Sequence, residues 1–318
     1  MHSILFALLA SAVAVLSQTP IKHRFLAVDN GGNKLILIDQ TGGKGWSVAI
    51  PSGSRDLQWL PGGKVLVSHG NGAAEYDLAT GAKGWALDGY ADITTARRLE
   101  NGNTLLGGNT GGVTLYEVAP DKSRKATLNI PSLADLRLSR RLGNGNTLLG
   151  LAAGHKIVEA DSKGAVVWTG ALTDKGYVGY RLANGHTLAT SGEDCYVYDF
   201  AADGKATAVA GGLAKHPGKG FLWFSGFEIL ANGHFFVANW NGHGMEGKGP
   251  HAVEFDAQNN LVWSWEDHAA AATVTNVMTV EGNGPTAISA FPEPGTRKLP
   301  ARIRRDALGR SPGARHGR

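Results

Sequence analysis

His69 and His243 are the side chains that this sequence marks out for proton transfer. Each stands where an apolar run gives way to glycine and polar residues: one closes Val65-Leu-Val-Ser-His-Gly70, the other lies between Asn239 and His251. An imidazole near its ordinary pKa serves as a general base, and Glu246, three residues beyond His243, as its acidic partner. Trp240 precedes them with a flat apolar face for stacking on a ring. Glycines at 242, 244, 247 and 249 raise the ordering cost of that loop, which is explained if its backbone must approach a ligand closely. Asp29, Asn30, Asn109 and Asn239 recur four or five residues beyond a repeated turn, where they would ring the same site with hydrogen-bonding groups. Arg97 and Arg140 belong to a recurring Arg-Arg-Leu and would draw in an anion, such as a sulfate, a carboxylate or a uronate. Their alternative is internal pairing with acids such as Glu100 and Glu228. His69, His243 and His251 with Asp29 or Glu246 have the right atoms for a metal, but no His-x-His or His-Glu-x-x-His spacing supports one, and no metal is expected.

The elements that must position these groups are written in an internal repeat. Leu99-Glu-Asn-Gly-Asn-Thr-Leu-Leu, Leu142-Gly-Asn-Gly-Asn-Thr-Leu-Leu, Leu182-Ala-Asn-Gly-His-Thr-Leu-Ala and Leu230-Ala-Asn-Gly-His-Phe-Phe-Val are four copies of one unit. Leu60-Pro-Gly-Gly-Lys-Val-Leu-Val is a fifth, and Phe25-Leu-Ala-Val opens a sixth that lacks its leading part. The residue after the turn is Phe25, Val65, Thr104, Thr147, Thr187 and Phe235 in turn, a period of roughly 40 residues that is longest at the last step. Asn-Gly between apolar runs predicts a tight hairpin whose two turn residues both accept positive φ. Each copy continues into a β run, an acidic turn and, in four of them, a tryptophan: Asp39 to Trp46, Asp77 to Trp85, Asp161 to Trp168 and Asp256 to Trp263.

Four β runs in about 42 residues, with no helical pattern between them, make one blade of a β-propeller. The fold class expected is therefore all-β: a single closed propeller over residues 24–290, with six four-stranded blades. The orphan run Val274-Thr-Asn-Val-Met-Thr-Val280 supplies the innermost strand that the first unit lacks and closes the ring. A further run, Thr286-Ala-Ile-Ser-Ala-Phe291, keeps seven blades as the alternative. The outer-strand tryptophans are expected to wedge neighbouring blades together. In such a ring the hairpins and acidic turns share one face, and His69, Asp29 and the Asn239–His251 loop share the other.

Asp77-Leu-Ala-Thr-Gly-Ala-Lys-Gly-Trp85 resembles the tryptophan-docking motif of pyrroloquinoline-quinone-type propellers, and the Asn-Gly-Asn-Thr-Leu hairpins resemble those of arylsulfotransferase-like propellers. The resemblance spans residues 24 to about 290 and implies architecture, since such motifs hold blades together whatever the loops do. Quinone-dependent dehydrogenases of this kind use adjacent cysteines and often a Cys-x-x-Cys-His haem site. Cys195 is the only cysteine here, so neither quinone nor haem is expected, and no other cofactor is indicated. The sulfotransferase resemblance implies a histidine just before an Asp at the start of an innermost strand, where this chain has Ser54-Arg55-Asp56.

Composition sets the remaining bounds. Residues 1–17 hold an apolar run from Ile4 to Leu16, too short to span a bilayer and read as a cleavable export signal, so a periplasmic or secreted, membrane-free protein is expected. Residues 297–318 carry eight Lys/Arg against one Asp, a surplus of +7 that leaves −3 on the preceding chain out of a total of +4. Residues 292–318 read as a disordered basic tail, and the mildly acidic body argues against nucleic acid as its partner. The expected function is binding of a small anionic or sugar-like ligand, or of a protein partner, at the loop face of the channel. The alternative is a lyase or hydrolase using His69 and His243 there.

Overall fold

The computed structural model describes residues 20–280; the expected export signal at 1–17, the run at 286–291 and the basic stretch at 292–318 lie outside the described residues. Among the described residues there is no helix, and the strands fall into six four-stranded antiparallel sheets arranged as a six-bladed propeller. Blade 1 contains β1 (Arg24–Asp29), β2 (Lys34–Asp39) and β3 (Trp46–Ala49). Blade 2 contains β4 (Leu57–Leu60), β5 (Lys64–His69), β6 (Gly72–Asp77) and β7 (Lys83–Leu87). Blade 3 is β8 (Ile93–Arg98), β9 (Thr104–Gly108), β10 (Val113–Val118) and β11 (Arg124–Ile130). Blade 4 is β12 (Leu136–Arg141), β13 (Thr147–Leu151), β14 (Lys156–Ala160) and β15 (Val166–Ala171). Blade 5 runs through β16 (Gly176–Arg181), β17 (Thr187–Ser191), β18 (Tyr196–Phe200) and β19 (Ala206–Gly211). Blade 6 runs through β20 (Phe224–Ile229), β21 (Phe235–Asn239), β22 (Ala252–Phe255) and β23 (Leu261–Trp265).

The last strand, β24 (Val274–Thr279), returns to blade 1 and pairs antiparallel with β1, Phe25 opposite Thr279 and Ala27 opposite Val277. The ring therefore has no open inner edge. Asp29 clasps the junction: its buried carboxylate accepts the backbone N–H groups of Gly32 (2.9 Å), Ala272 (3.1 Å) and Thr273 (2.9 Å).

The hairpins are looser than two-residue turns. Leu99 N–H donates to Asn103 O, Gly102 N–H donates back to Leu99 O, and the Asn101 side chain accepts from Asn103 N–H. Only the glycine takes positive φ (+84° at Gly102, +86° at Gly145), so the predicted pair of left-handed residues is replaced by a three-residue loop closing on one.

The apolar cores lie between blades. Leu182 and Leu188 of blade 5 pack with Phe224, Phe235 and Phe255 of blade 6, for example. The outer-strand tryptophans reach across these seams. Trp46 Nε1 donates to the Leu78 carbonyl at 2.9 Å and Trp168 Nε1 to that of Ala202 at 3.1 Å, in each case on the following blade. Arg98 and Arg181 of the following blades stack over Trp85 and Trp168, 4.5 and 5.0 Å from the ring centroids. Because these indoles are only half-buried, Trp168→Ala is expected to cost about 2 kcal/mol, below the ~3–5 kcal/mol of a fully enclosed aromatic. Urea unfolding measures it, and a loss no larger than that of an ordinary surface substitution, about 0.5 kcal/mol, would show the wedge to be idle.

Candidate functional site

The channel interior is a closed electrostatic network. The innermost strands bring six equivalent residues to one level, each opposite the same position of its second strand: Gln58, Arg97, Arg140, Tyr180, Glu228 and Met278. Asp56, fully buried, is the hub of this level. It receives Arg140 through Nη1 and Nη2, both at 3.0 Å, the Thr95 hydroxyl at 2.6 Å and Leu57 N–H at 3.0 Å. Arg97 Nη1 lies 3.8 Å from the same carboxylate and donates to the Leu57 carbonyl at 2.7 Å. Arg97 and Arg140 thus meet an internal carboxylate, and at 0 and 1% exposure they present no face to a ligand. That internal acid, Asp56, comes from the Ser54-Arg55-Asp56 segment, and both arginines have further partners. Glu228 faces inward and accepts from Thr279 N–H at 2.5 Å, while Glu100 is exposed at a hairpin.

Three residues before that level, the same count along each strand reaches Arg55, Thr94, Arg137, Tyr177, Ser225 and Thr275. Four of these, Arg55, Arg137, Tyr177 and Thr275, line a cavity of about 190 Å3 at the loop-face mouth of the channel, together with Trp223, Trp240 and His243. Five blades contribute to it. Two guanidinium groups give the cavity a positive floor. Arg137 is held 3.3 Å from the half-exposed carboxylate of Asp135, and Arg55 makes no ion pair among the described residues. Burial pushes the Tyr177 phenol above its ordinary pKa, although Arg55 and Arg137 pull it down, so it stands in the cavity as a neutral O–H. The Tyr177 and Thr275 hydroxyls face each other without completing a hydrogen bond.

The aromatic wall is built by the blade 6 loop. Trp240 N–H donates to the Trp223 carbonyl at 2.7 Å, and the two indoles meet edge to face at 5.8 Å. His243 stands perpendicular to the Trp240 ring at 4.7 Å. Lys175 lies 5.1 Å above the Trp223 ring, with its ammonium 2.8 Å from the Glu193 carboxylate. Two of the four loop glycines have a packing reason instead of a ligand. A Cβ on Gly242 would come within 2.2 Å of the Trp240 ring, and one on Gly249 within 2.3 Å of the Gly220 carbonyl oxygen.

The other sequence-marked residues lie apart from this cavity. His69 is buried, and its Nε2 is 3.6 Å from Asp88, just past the outer strand β7 of its own blade. Burial depresses its pKa, with Asp88 acting the other way. His69 does not line the mouth, so it and His243 are not brought together as a catalytic pair. Glu246 is exposed and is not part of the lining either. Asp29 is the junction clasp described above. Asn30 donates to the Ser54 carbonyl at 2.9 Å, and Asn109 exchanges hydrogen bonds with the Leu136 N–H (2.7 Å) and carbonyl (3.2 Å). Asn239 accepts from Leu222 N–H and donates to the Gly220 and Pro250 carbonyls. These amides tie inner strands to loops, and backbone groups already occupy the hydrogen-bonding positions a ligand would use. Among the described residues no group of three or more His, Cys, Asp or Glu is arranged to hold a metal ion. The buried Cys195 thiol is pushed far up in pKa by desolvation, which leaves it unreactive as a nucleophile.

Of the residues marked in the sequence, Trp240 and His243 line this cavity; Arg55, Arg137, Tyr177, Trp223 and Thr275, which line it too, were not marked. The signal for four of the missed residues was present as a column: the position three before the recurring Arg97/Arg140 level in each inner strand.

No protein-family model matches the chain, and no curated protein matches it. Among solved structures it is similar to a protein of unknown function from Bacteroides caccae, with a TM-score of 0.69 and 22% identity over 82% of this chain and 100% of that one. It is also similar to a streptogramin B lyase, with a TM-score of 0.55 and 9% identity over 78% of this chain and 85% of that one. A catalytically inactive virginiamycin B lyase from Staphylococcus aureus, solved with quinupristin, gives a TM-score of 0.53 and 10% identity over 81% and 92% of the two chains. What is shared at these identities is the propeller fold.

Proposed function

We propose that the protein binds one small anionic ring, of the sugar-acid class, in the mouth of its channel. The observation that carries this reading is the convergence of Arg55 and Arg137 with two perpendicular indoles in one small cavity. A carboxylate on the ligand would meet the guanidinium groups in charge-assisted hydrogen bonds. The ring would rest against Trp240, with the Tyr177 O–H and the His243 imidazole at its edge. At ~30 Å3 per water the cavity exchanges about six waters, the space of a single sugar ring. Binding is favoured over turnover because, among the described residues, His243 has a ring contact with Trp240 and no carboxylate orienting it, while a general base needs both a partner and reach.

Calorimetric titration with glucuronate and galacturonate tests the reading, with glucose as the uncharged comparison. Arg137→Ala and Trp240→Ala are each expected to weaken uronate binding at least tenfold, about 1.4 kcal/mol, with stability nearly unchanged. His155→Ala, on the exposed loop of blade 4, should leave binding as it was. Equal affinity for glucose and glucuronate, or an Arg137→Ala protein that binds like the parent, would sink the proposal.

A further inference from the structure

The six seams between blades are not alike. Three outer strands place a tryptophan at one register position: Trp46 opposite Leu37, Trp168 opposite Glu159 and Trp263 opposite Glu254. Trp85 holds the corresponding place on β7. In β11 that position is Ala126, opposite Glu117, and in β19 it is Thr207, opposite Asp199. A second recurring side chain enters the seam from the following blade, where Arg98, Arg141 and Arg181 end the inner strands of blades 3, 4 and 5. In blade 6 the same place is Ile229, opposite Phe235 as Arg181 is opposite Thr187. The seam between blades 5 and 6 thus lacks both the indole and the guanidinium.

Both tryptophan-less seams carry a cleft. Between blades 3 and 4, where Leu128 and Ile130 pack on Gly164 and Arg141 is retained, the cleft is about 310 Å3. Between blades 5 and 6 it opens to about 600 Å3. Its walls are Leu188, Val209 and Phe235, and its far side is the turn Ala257–Asn259. That turn is fixed in place, since the Asn259 amide exchanges hydrogen bonds with the backbone of Gly211 at 2.8 and 3.0 Å. The carbonyl groups that accept the indole N–H elsewhere belong to Leu78 and Ala202, each two residues beyond the β6 or β18 residue paired with the aligned position. The same count in blade 6 falls on Ala257. The slot therefore keeps the apolar walls and the acceptor position of an indole site without the indole. Two ammonium groups, Lys205 and Lys215, line it and make no ion pair among the described residues, whereas its acid, Asp199, is already hydrogen-bonded to His186 at 2.9 Å.

We infer that this seam is a second ligand site, shaped for a flat aromatic ring that carries an N–H donor and an acidic group. The ring enters the place the repeat gives to tryptophan, its N–H faces the Ala257 carbonyl, and its carboxylate is neutralised by Lys205 and Lys215. The inference is independent of the channel mouth, which uses none of these residues.

Indole-3-acetate and indole, titrated by calorimetry into the full chain, test it. The parent is expected to bind indole-3-acetate more tightly than indole. Thr207→Trp restores the repeat and should abolish binding of both by at least tenfold while raising the melting temperature. A second variant, Lys205→Glu with Lys215→Glu, alters only exposed side chains and should weaken indole-3-acetate at least fivefold while leaving indole unchanged. Arg137→Ala, at the mouth, should leave both affinities alone. The inference is overturned if the parent binds neither compound, or if Thr207→Trp binds both as the parent does. It is equally overturned if the affinity is lost in Arg137→Ala, or if Thr207→Trp merely dissolves a dimer, which would make a second copy of the chain the occupant.

Discussion

Replacing Asp56 by asparagine is expected to cost about 3–5 kcal/mol of folding stability, the range found when one partner of a buried ion pair is removed. The carboxylate has no solvent exposure, and Arg140 grips both of its oxygens at 3.0 Å while Thr95 and Leu57 N–H hold it from the side. An amide at that place turns one N–H₂ toward a guanidinium and takes from Arg140 and Arg97 the anion they share, in a medium that solvates charge poorly. The other partners these arginines have soften the loss. Denaturant unfolding reads the effect, with Glu100→Gln on the surface expected to stay within about 0.5 kcal/mol of the parent. Combining Asp56→Asn with Arg140→Met should recover part of the loss, because the stranded charge leaves with its partner. A cost for Asp56→Asn no greater than that of the average substitution, about 1 kcal/mol, would mean that the six inner strands are held by packing alone.

Ending the chain at Thr273 is expected to abolish cooperative folding. The truncation removes β24, whose six residues are all buried, and with it Val274, Val277, Met278 and the following Val280. At ~1.5–3 kcal/mol for each large apolar side chain, the burial lost is on the order of 6–12 kcal/mol. The whole stability of a domain is about 5–15 kcal/mol. The cut also bares the ladder edge of β1 and takes Thr273, beside the cut, out of its fixed place on Asp29. Circular permutation provides the matching control. Val280 N–H donates to the Arg24 carbonyl at 2.6 Å, so a chain that runs through 273–280 first, then a short turn, then 23–272, meets itself as an ordinary hairpin. That permutant should melt cooperatively near the parent temperature. If it fails while the truncated chain folds, β24 is not the strand that completes the ring.

Much of this architecture can be read in one dimension because a propeller is made of local pairings. Turn residues such as Asn101-Gly102 and short apolar runs such as Thr147–Leu151 determine each hairpin from a few neighbouring residues. Even the ring closure was visible, as an apolar run at 274–280 without a partner and a first unit without an inner strand. The details that failed were those needing three dimensions. The hairpin loop is wider than Asn-Gly implies because the asparagine side chain caps its own turn and only the glycine becomes left-handed.

The site divides along the same line. Trp240 and His243 were legible because one continuous loop carries them. Asp29, Asn30, Asn109 and Asn239 look in sequence like ligand contacts, yet backbone N–H and carbonyl groups claim them, and no local pattern reveals which buried amide lies opposite a side chain. Arg97 and Arg140 could have faced an anion from outside; Asp56, 41 and 84 positions away along the chain, turned out to be that anion. Sequence by itself determined the repeat and the loop that walls the mouth, since each lies within the length of a single repeat, and it left six or seven blades, of which the structure has six. Tertiary structure alone decided which charges are paired inside the channel and which, at Arg55 and Arg137, line its mouth. The reason is physical: a charge is satisfied by whatever the ring closure sets beside it, and closure joins residues that no stretch of sequence holds together.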